Sequence, residues 1–562
     1  MPINNKLLPL ESAYHWEKEK PNQVYMIQPI SPDRVIEYTW GETVKQARSM
    51  ASHLRSLQLE SNSKIAIISK NCAYFIMSDL AIWMAGHVSI AVYPSSDADT
   101  IGYTLAHSDS KLAFVGDLDN WDTTKKAILE KLPIISYPLS SALNGQQWDD
   151  IVKRTSPISD NPVRKKDDLA VLIYTSGSTG LPKGVMHSFG NMAVQAAVTT
   201  KLIRNTGISR SPCDHRMLSY LPLAHAFERG CVEIASIQNG FRIYFGYNLE
   251  TFIDDLKRAK PTIFISVPRL WLKFQLGVFS QISEDQLGLL LKIPGIASIL
   301  KRRVLKSLGL DSVEIAISGS APISESLLNW YRKLGLELLE GYAQSENFNY
   351  SHLSLPDCNK VGYVGRPLPG VKVRIGEDGE ILVKSPANML GYYKDIRQTQ
   401  ATFTNDGYIK TGDKGIVDDD GNLRITGRLK EIFKTSKGEY VSPAVIENKL
   451  NEDPLIAMSC VTGSGMSQPY ALVVLAEESF GKLNRDNLKI LIKNKLEKLI
   501  ERINNSVSSH EELQFIAIVK DSWSIENGFL TPTLKIKRSV IENAYSDSID
   551  DWISSGTLIH WR

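Results

Sequence analysis

The stretch Leu172 to Gly184, LIYTSGSTGLPKG, is rich in groups that can hold a polyanion. Thr175, Ser176, Gly177, Ser178, Thr179 and Gly180 leave backbone N–H groups unshielded and let the chain come close to phosphate oxygens. Lys183 adds a cation and Pro182 stiffens the exit. The apolar run Ala170 to Tyr174 ahead of them reads as a buried strand, so a phosphate cradle at a strand end is predicted. The common mononucleotide loop is excluded, because Gly184 stands where Ser or Thr should follow the lysine. The spaced-glycine dinucleotide fingerprint is excluded as well. A Gly- and Ser-rich loop by itself also suits a plain surface loop. The density of Thr, Ser, Gly and Lys after a core strand favours the cradle.

A nucleotide site needs three more parts: a metal ligand, a ribose clamp and a slot for the base. Glu346 is a carboxylate on a polar loop, GYAQSE, that follows a predicted strand at Leu336–Leu339. Mg²⁺ takes one or two protein ligands and leaves the rest to water and phosphate, so one such carboxylate suffices. Asp413, in YIKTGD, follows another predicted strand and can accept both ribose hydroxyls; a turn-capping Asp is the alternative. A third polar loop, Ser318-Gly319-Ser320-Ala321-Pro322, follows a strand at Val313–Ile317. In open α/β sheets the C-terminal strand edge is where ligands bind.

The elements that must position these groups read as α/β. At 562 residues, two or more domains are expected. The chain is 43% hydrophobic and 22% charged with net charge +2, an ordinary globular composition that makes no case for a nucleic-acid partner. From residue 24 to about 245, strand-like runs (Lys64–Ser69, Val88–Val92, Leu112–Val115, Met217–Leu221, Phe241–Phe245) alternate with helical ones such as Ala73–Ala85, which predicts parallel sheets covered by helices. Thr262–Ser266 is one more such strand. Texture changes near residue 361 to short strands and Gly turns, predicting a small β-subdomain. A polar joint at Gly427-Arg428-Leu429-Lys430 leads into a smaller α+β unit running to residue 562, with a charged helix over roughly 484–504. The five cysteines, Cys72, Cys213, Cys231, Cys358 and Cys460, fit neither a disulfide framework nor metal spacing, so a reducing, cytoplasmic setting is expected. The first twenty residues lack a signal-peptide core, and the apolar window Ala73–Tyr93 contains Asp79, Gly86 and His87, which reads as buried helix and strand rather than a membrane span. Residues 287–310 interleave apolar side chains with Lys292, Lys301, Arg302, Arg303 and Lys306. Such a segment can lie on the inner face of a membrane; a helix packed on its own protein with a solvated basic face is the expected reading.

These motifs together resemble the adenylate-forming superfamily: acyl-CoA synthetases, luciferases and peptide-synthetase adenylation domains. The resemblance runs from about residue 40 to the C-terminus. It implies a large N-terminal adenylation domain, 1–427, of stacked mixed and parallel sheets covered by helices, holding the ATP and acyl sites and the β-subdomain at about 361–427. A small mobile α+β domain, 428–562, would follow a hinge near Lys430. By resemblance Tyr342 stacks on adenine, Ser320 and Ala321 line the same slot, and Thr179 and Glu346 hold Mg²⁺. Glu340, Gly341, Gln344 and Ser345 complete that ATP-binding stretch. Ala343 and Ser345 replace the family's Gly and Thr, and Ala343 disallows a strained positive φ. Asp413 takes the ribose role, Arg428 the second ribose or phosphate contact, and Lys434 the ATP side beyond the hinge. The turn Lys437-Gly438-Glu439-Tyr440 resembles the one lining the thiol's approach. Thr531–Arg538, TPTLKIKR, resembles the closing element, with Leu534 where Gly is usual. Lys535 aligns with its catalytic lysine, and Lys537 takes that place if the register slips. His225, in LPLAHAFERG, closes the acyl site or is a satisfied core histidine.

LPLAHAFERG, VPRLW (Val267 to Trp271) and TPTLKIKR look like the long-chain fatty-acid–CoA ligase branch. The implied activity is a carbon–sulfur ligase: ATP, fatty acid and coenzyme A give acyl-CoA, AMP and pyrophosphate through an acyl-adenylate, with a domain rotation between half-reactions. Transfer of the acyl group to a carrier protein instead of free CoA is the nearer alternative, and an inactive ATP-binding scaffold the remote one. Monomer and homodimer are equally compatible with the sequence.

Overall fold

The computed structural model describes residues 7–118, 120–130, 132–140, 145–175, 181–205, 214–356, 359–476, 485–525, 527–531 and 535–562. The backbone of the first 430 residues or so is built on three sheets and a β-layer. An eight-stranded sheet runs Gly391–Tyr392, Lys183–Ser188, Leu169–Thr175, Val88–Val92, Lys64–Ile68, Ser110–Val115, Ile134–Ser136, Gln146–Gln147. Its interior pairings are parallel, and the strands Lys64–Ile68 and Val88–Val92 are apolar and buried almost throughout, as two covered faces require. The pair Leu169–Thr175 and Lys183–Ser188 is antiparallel, a hairpin whose closing residues are the phosphate-loop stretch. The sheet is therefore mixed at this end and parallel through its interior, as expected of stacked mixed and parallel sheets.

A second sheet places Arg216–Ser219, Arg242–Phe245, Val24–Ser31 and Arg34–Thr39 side by side. A third runs Ile263–Ser266, Ile315–Ser318, Leu338–Tyr342, His352–Leu353, Arg366–Pro367, its first three strands parallel. The strand expected at Leu336–Leu339 thus lies further along the chain. Glu340, Gly341 and Tyr342 belong to the strand rather than to the loop after it, because Gly341 and Tyr342 pair with His352–Leu353. An antiparallel layer of Lys372–Ile375, Glu380–Lys384, Ile409–Val417 and Leu423–Arg428 follows. The last unit holds a four-stranded sheet, Ile456–Thr462, Tyr470–Leu475, Ile516–Val519, Ile559–Trp561, with the helix Arg485–Asn504 and a separate apolar cluster on each face. Among the described residues no helix is long and apolar enough to cross a membrane.

The core between the first two sheets contains an ionic cluster. The helix Ala73–Met84 is buried along its whole length, Asp79 included. Arg229 Nη2 donates to Asp79 Oδ2 at 2.5 Å and to Ser89 Oγ at 3.2 Å, and Arg229 Nε lies 3.7 Å from Glu233 Oε2. Arg229 and Glu233 sit in a π-turn, Arg229–Ile234, and all three ionic groups have no exposed surface. Burial and the neighbouring Asp79 push the Glu233 carboxyl up, while Glu228 beside it is pushed up to about 8 by burial.

Removing one partner of such a pair leaves an uncompensated buried charge, whereas replacing both by apolar side chains does not. Asp79→Leu should therefore cost about 3–5 kcal/mol in denaturant unfolding followed by near-UV circular dichroism, and Asp79→Leu/Arg229→Met should recover most of it. Glu228 has a folded value of about 8 against 4.5 for the free group, so stability it secures as a neutral acid is complete below pH 4.5 and lost as pH rises through 8. Glu228→Gln should flatten the fall of unfolding free energy between these limits by up to about 1.4 kcal/mol per pH unit.

Candidate active site

The C-terminal ends of several strands and the last unit face a single cleft of about 2310 Å³. From the large part of the chain come Thr175, Lys183, Ser318, Glu340, Glu346 and Asp413; from beyond residue 427 come Arg428, Lys430, Lys434, Tyr440, Lys535 and Lys537. Residues expected to meet around one nucleotide therefore share one crevice. Ser176, Gly177, Ser178, Thr179 and Gly180 lie outside the described residues, as does Leu534; the strand that delivers the loop ends at Thr175, and Lys183 pairs directly across from it.

Asp413 accepts three side-chain hydrogen bonds in the cleft. Arg428 Nε donates to Oδ1 at 3.0 Å; Tyr342 Oη and Gln344 Nε2 donate to Oδ2 at 2.7 and 2.9 Å. Asp413 and Arg428 are register partners of adjacent strands, so backbone pairing sets their approach. Gln344 Nε2 also donates to the Thr411 carbonyl at 2.7 Å. Three donors on one buried carboxylate fix its orientation. The same bonds fix the Tyr342 ring against the cleft wall, where a planar base can stack.

Glu346 lies in the single turn Ser345–Asn347. Tyr392 Oη donates to its Oε1 at 2.8 Å, and the Lys183 ammonium lies over the Tyr392 ring, 5.6 Å from its centroid. One tyrosine thus joins the cation of the phosphate-loop hairpin to the carboxylate expected to bind metal. His187 Nε2 donates to the Ser345 carbonyl at 2.7 Å, and burial lowers this histidine to about 4, so it is neutral and acts as a fixed donor. The Met389 N–H donates to the Glu346 carbonyl at 2.7 Å. Among the described residues, no hydrogen bond to Oε2 of Glu346 is formed and no cluster of His, Cys and carboxylate ligands surrounds it; such a single carboxylate facing a cleft suits Mg²⁺ shared with phosphate and water better than a transition-metal cage.

The slot beside Tyr342 is bounded by the Ile315–Ser318 strand end. Ser320 has φ +71°, the left-handed region that costs a non-glycine residue energy and clusters at binding sites. A Cβ on Gly319 would stand 3.1 Å from the Phe227 ring, which explains the glycine there. Ala343 needs no positive φ, so its replacement of glycine carries no strain. Ala321 and Gly341 line the slot. The Glu340 carboxyl is raised to about 8 by burial, then by Glu325, and its Oε1 has no protein partner; the buried Ser318 Oγ has none either. An amino-and-ring-nitrogen edge is the kind of ligand such groups satisfy.

Across the cleft, His225 caps the turn Ala226–Glu228, its Nδ1 accepting the Phe227 N–H at 3.1 Å. Nε2 is therefore the protonated nitrogen. Burial and the charge of Lys535 lower His225 to about 4, leaving it a neutral donor on the cleft wall rather than a core histidine. Beyond it the wall turns apolar, with Phe227, Cys231, Ile263, Ile265 and Leu272, and Gln195 Nε2 donates to Cys231 Sγ at 3.2 Å. Burial pushes the Cys231 thiol up to about 12, so it serves as wall rather than nucleophile.

Lys535 is open to the water of the cleft yet enclosed by protein groups. Desolvation and Arg428 lower its pKa, while Asp413, Glu431 and Glu346 raise it. Lys537 lines the same cleft. The loop carrying Lys535 is closed by its N–H to Thr531 Oγ1 at 3.1 Å and anchored by Arg538, which grips Glu447 at 2.6 and 3.1 Å, the Val461 carbonyl at 2.7 Å, and Glu431 at 3.6 Å. Lys434 lies over the Tyr440 ring in a two-stranded hairpin, Phe433–Lys434 with Tyr440–Val441, whose turn contains Lys437, Gly438 (φ +89°) and Glu439. Sequence reasoning missed His187 and Tyr392, which reach the predicted Ser345 and Glu346 from distant points in the chain, and it gave Arg538, a member of the TPTLKIKR stretch, no role of its own; spacing carries no signal of such contacts.

Residues 13–393 match the AMP-binding enzyme family and residues 430–555 its C-terminal domain. The long-chain-fatty-acid–CoA ligase FadD15 of Mycobacterium bovis is 29% identical, covering 96% of this chain and 96% of its own length. Human long-chain-fatty-acid–CoA ligase 1 is 28% identical over 93% of this chain and 83% of its own. Two solved structures share the fold: the adenylation domain of a carboxylate reductase from Mycobacterium chelonae, with TM-score 0.80 and 20% identity over 98% of this chain and 91% of that one, and the corresponding domain from Segniliparus rugosus, with TM-score 0.79 and 21% identity over 98% and 95%. With a match spanning more than half its length, this chain belongs to the family of AMP-binding, adenylate-forming enzymes.

Proposed function

We propose that this chain is a long-chain fatty-acid–CoA ligase of the AMP-forming kind. The observation that carries the reading is the convergence of Lys535, Asp413–Arg428 and Glu346 on one cleft whose far wall is apolar. In the first half-step a carboxylate oxygen of the fatty acid attacks the α-phosphorus of ATP, the α–β anhydride bond breaks, and pyrophosphate leaves. In the second, the coenzyme A thiol sulfur attacks the acyl carbon, the acyl–oxygen bond to AMP breaks, and the thiol proton is released. The protein's task is positioning and charge neutralisation.

Residue roles follow from placement. Asp413 with Arg428 holds the ribose, Tyr342 supports the base, and Glu340 with the Ser318–Ala321 turn recognises its edge. Lys183 and the Thr175–Gly180 loop hold the β- and γ-phosphates. Lys535 bridges the attacking carboxylate and the α-phosphate; one such cation supplies about 3–4 kcal/mol of barrier lowering. His225 closes the acyl site as an Nε2–H donor. Mg²⁺ would be held by Glu346 and Thr179, and it would neutralise phosphate charge when bound. Lys437–Tyr440 serves the thiol. We further propose that 1–427 and 428–562 are separate domains moving about Lys430, because Lys535 and the Lys437–Tyr440 turn serve different half-steps at the same acyl group and so approach it in succession. The proposed setting is cytoplasmic, with fatty acid, ATP and CoA as partners.

Lys535→Ala should lose acyl-AMP formation by roughly 10²–10³ while still converting supplied acyl-AMP to thioester. Lys430→Pro should spare adenylation and lose thioesterification. Both half-steps are read separately, by pyrophosphate release and by thioester formation from acyl-AMP; loss of the same half-step in both variants would remove the two-conformation proposal. Pyrophosphate release should depend on added acid, increase from short to long chains, and reach full turnover with free coenzyme A alone. A requirement for a carrier protein would select the alternative acceptor.

A further inference from the structure

The segment from Gln286 to Leu310 contains no carboxylate and five cations: Lys292, Lys301, Arg302, Arg303 and Lys306. It belongs to two helices, Glu284–Leu290, which opens on the carboxylates Glu284 and Asp285, and Ile296–Ser307, joined at a corner by Gly295 with φ +84°. Val304 and Leu308 are buried, and Leu300 and Leu305 pack against the same apolar cluster as Trp271, Phe274 and Leu287. That seats one side of the second helix on the protein. The opposite side, at helical spacing, carries Ile296, Ile299, Arg302, Arg303 and Lys306 outward.

The apolar groups on this side are unusually bare. Leu289 is 64% exposed, Ile293 43%, Ile296 45% and Ile299 70%. A Cβ added at Gly288 or Gly295 would meet nothing within 4 Å, so the corner stands clear of the rest of the molecule. Among the described residues none of the five cations makes an ion pair, although ion pairs are numerous elsewhere on the surface. An apolar tip followed by unneutralised cations matches an interfacial helix, whose aliphatic groups enter the acyl boundary while its cations meet anionic headgroups.

We propose that the corner Leu289–Ile299, with the basic face Arg302, Arg303 and Lys306, docks the protein on an anionic lipid bilayer. A basic and apolar corner suits an anionic, deformable surface better than a groove-bearing protein, and the two carboxylates at the start of its first helix, Glu284 and Asp285, are too few to pair its five cations with a second copy of itself. The corner rests on the cluster that includes Trp271 and Phe274, from the helix Pro268–Phe279, whose Arg269 and Leu272 line the cleft. Docking there would bring that wall toward the phase in which long acyl chains dissolve. This purpose rests on the fatty-acid reading; the lipid binding itself does not.

The test is cosedimentation of the full chain with vesicles of phosphatidylglycerol and phosphatidylcholine, against vesicles of phosphatidylcholine alone, without any substrate. Binding to the anionic vesicles, weakened by salt, is expected. Arg302→Gln/Arg303→Gln/Lys306→Gln should reduce the partition coefficient on the order of 100-fold, about 5-fold per cation. Ile296→Ser/Ile299→Ser should reduce the binding that survives high salt. Pyrophosphate release with a soluble medium-chain acid in vesicle-free buffer should be unchanged in both variants, which shows that they fold. No binding by the unaltered protein, equal binding to neutral vesicles, or unaltered binding by the triple variant would each overturn the proposal. So would a dimer in solution that the variants dissociate without any change in lipid binding.

Discussion

One buried carboxylate ties the candidate site together. Asp413 accepts from Arg428, Tyr342 and Gln344, and so links the antiparallel layer to the Leu338–Tyr342 strand and to the joint that begins the last unit. Without those donors a carboxylate at 5% exposure would be costly. With them it becomes an anchor whose position is over-determined. Every neighbouring group inherits that order: the Tyr342 ring is fixed by its hydroxyl, the Gln344 amide by two acceptors, and Arg428 by its register partner.

The opposite half of the cleft is left unsatisfied. Glu340 Oε1 and Ser318 Oγ lack partners, Ser320 holds a left-handed backbone, and Lys535 sits at a depressed pKa beside Arg428. These are costs carried by the fold. In the proposed function a nucleotide would supply the complement to each: a base edge for the unpaired oxygens and phosphate charge for the two cations. Groups that gain only when ligand and developing charge are present favour the later states over the empty one. The stability needed to carry such costs comes from elsewhere, chiefly the apolar cores on either side of the sheets.

Much of this was legible in the chain. Apolar strand runs at Lys64–Ile68 and Val88–Val92 stood out because both sheet faces are covered, and the polar loops declared themselves by residue type at strand ends. Strand boundaries near 338–342 were not legible: Glu340, Gly341 and Tyr342 look like a loop, and only pairing with His352–Leu353 makes them a strand. The positioning residues escaped for a related reason. His187 reaches Ser345 across 158 residues, Tyr392 reaches Glu346 across 46, and Arg538 reaches Glu447 across 91. Hydrogen bonds of such sequence separation leave no periodic trace, whereas the groups they position belong to short motifs of recognisable chemistry.

Arg538 shows what that separation accomplishes. Its guanidinium binds Glu447 in a two-pronged fashion, holds the Val461 carbonyl, and stands 3.6 Å from Glu431, one residue past Lys430. The loop that presents Lys535 is therefore stiffened within its own unit and also touches the joint. A lysine on a flexible loop would pay rotamer and backbone entropy each time it entered the cleft. A lysine on a loop clamped by Arg538 arrives already ordered, so the free energy of its encounter with phosphate is available for the reaction. In the proposed rotation about Lys430, the weak 3.6 Å contact to Glu431 is the one that can break, while the bidentate grip on Glu447 persists. The strong pair then keeps the loop's shape in both orientations, and the weak one biases which orientation is populated.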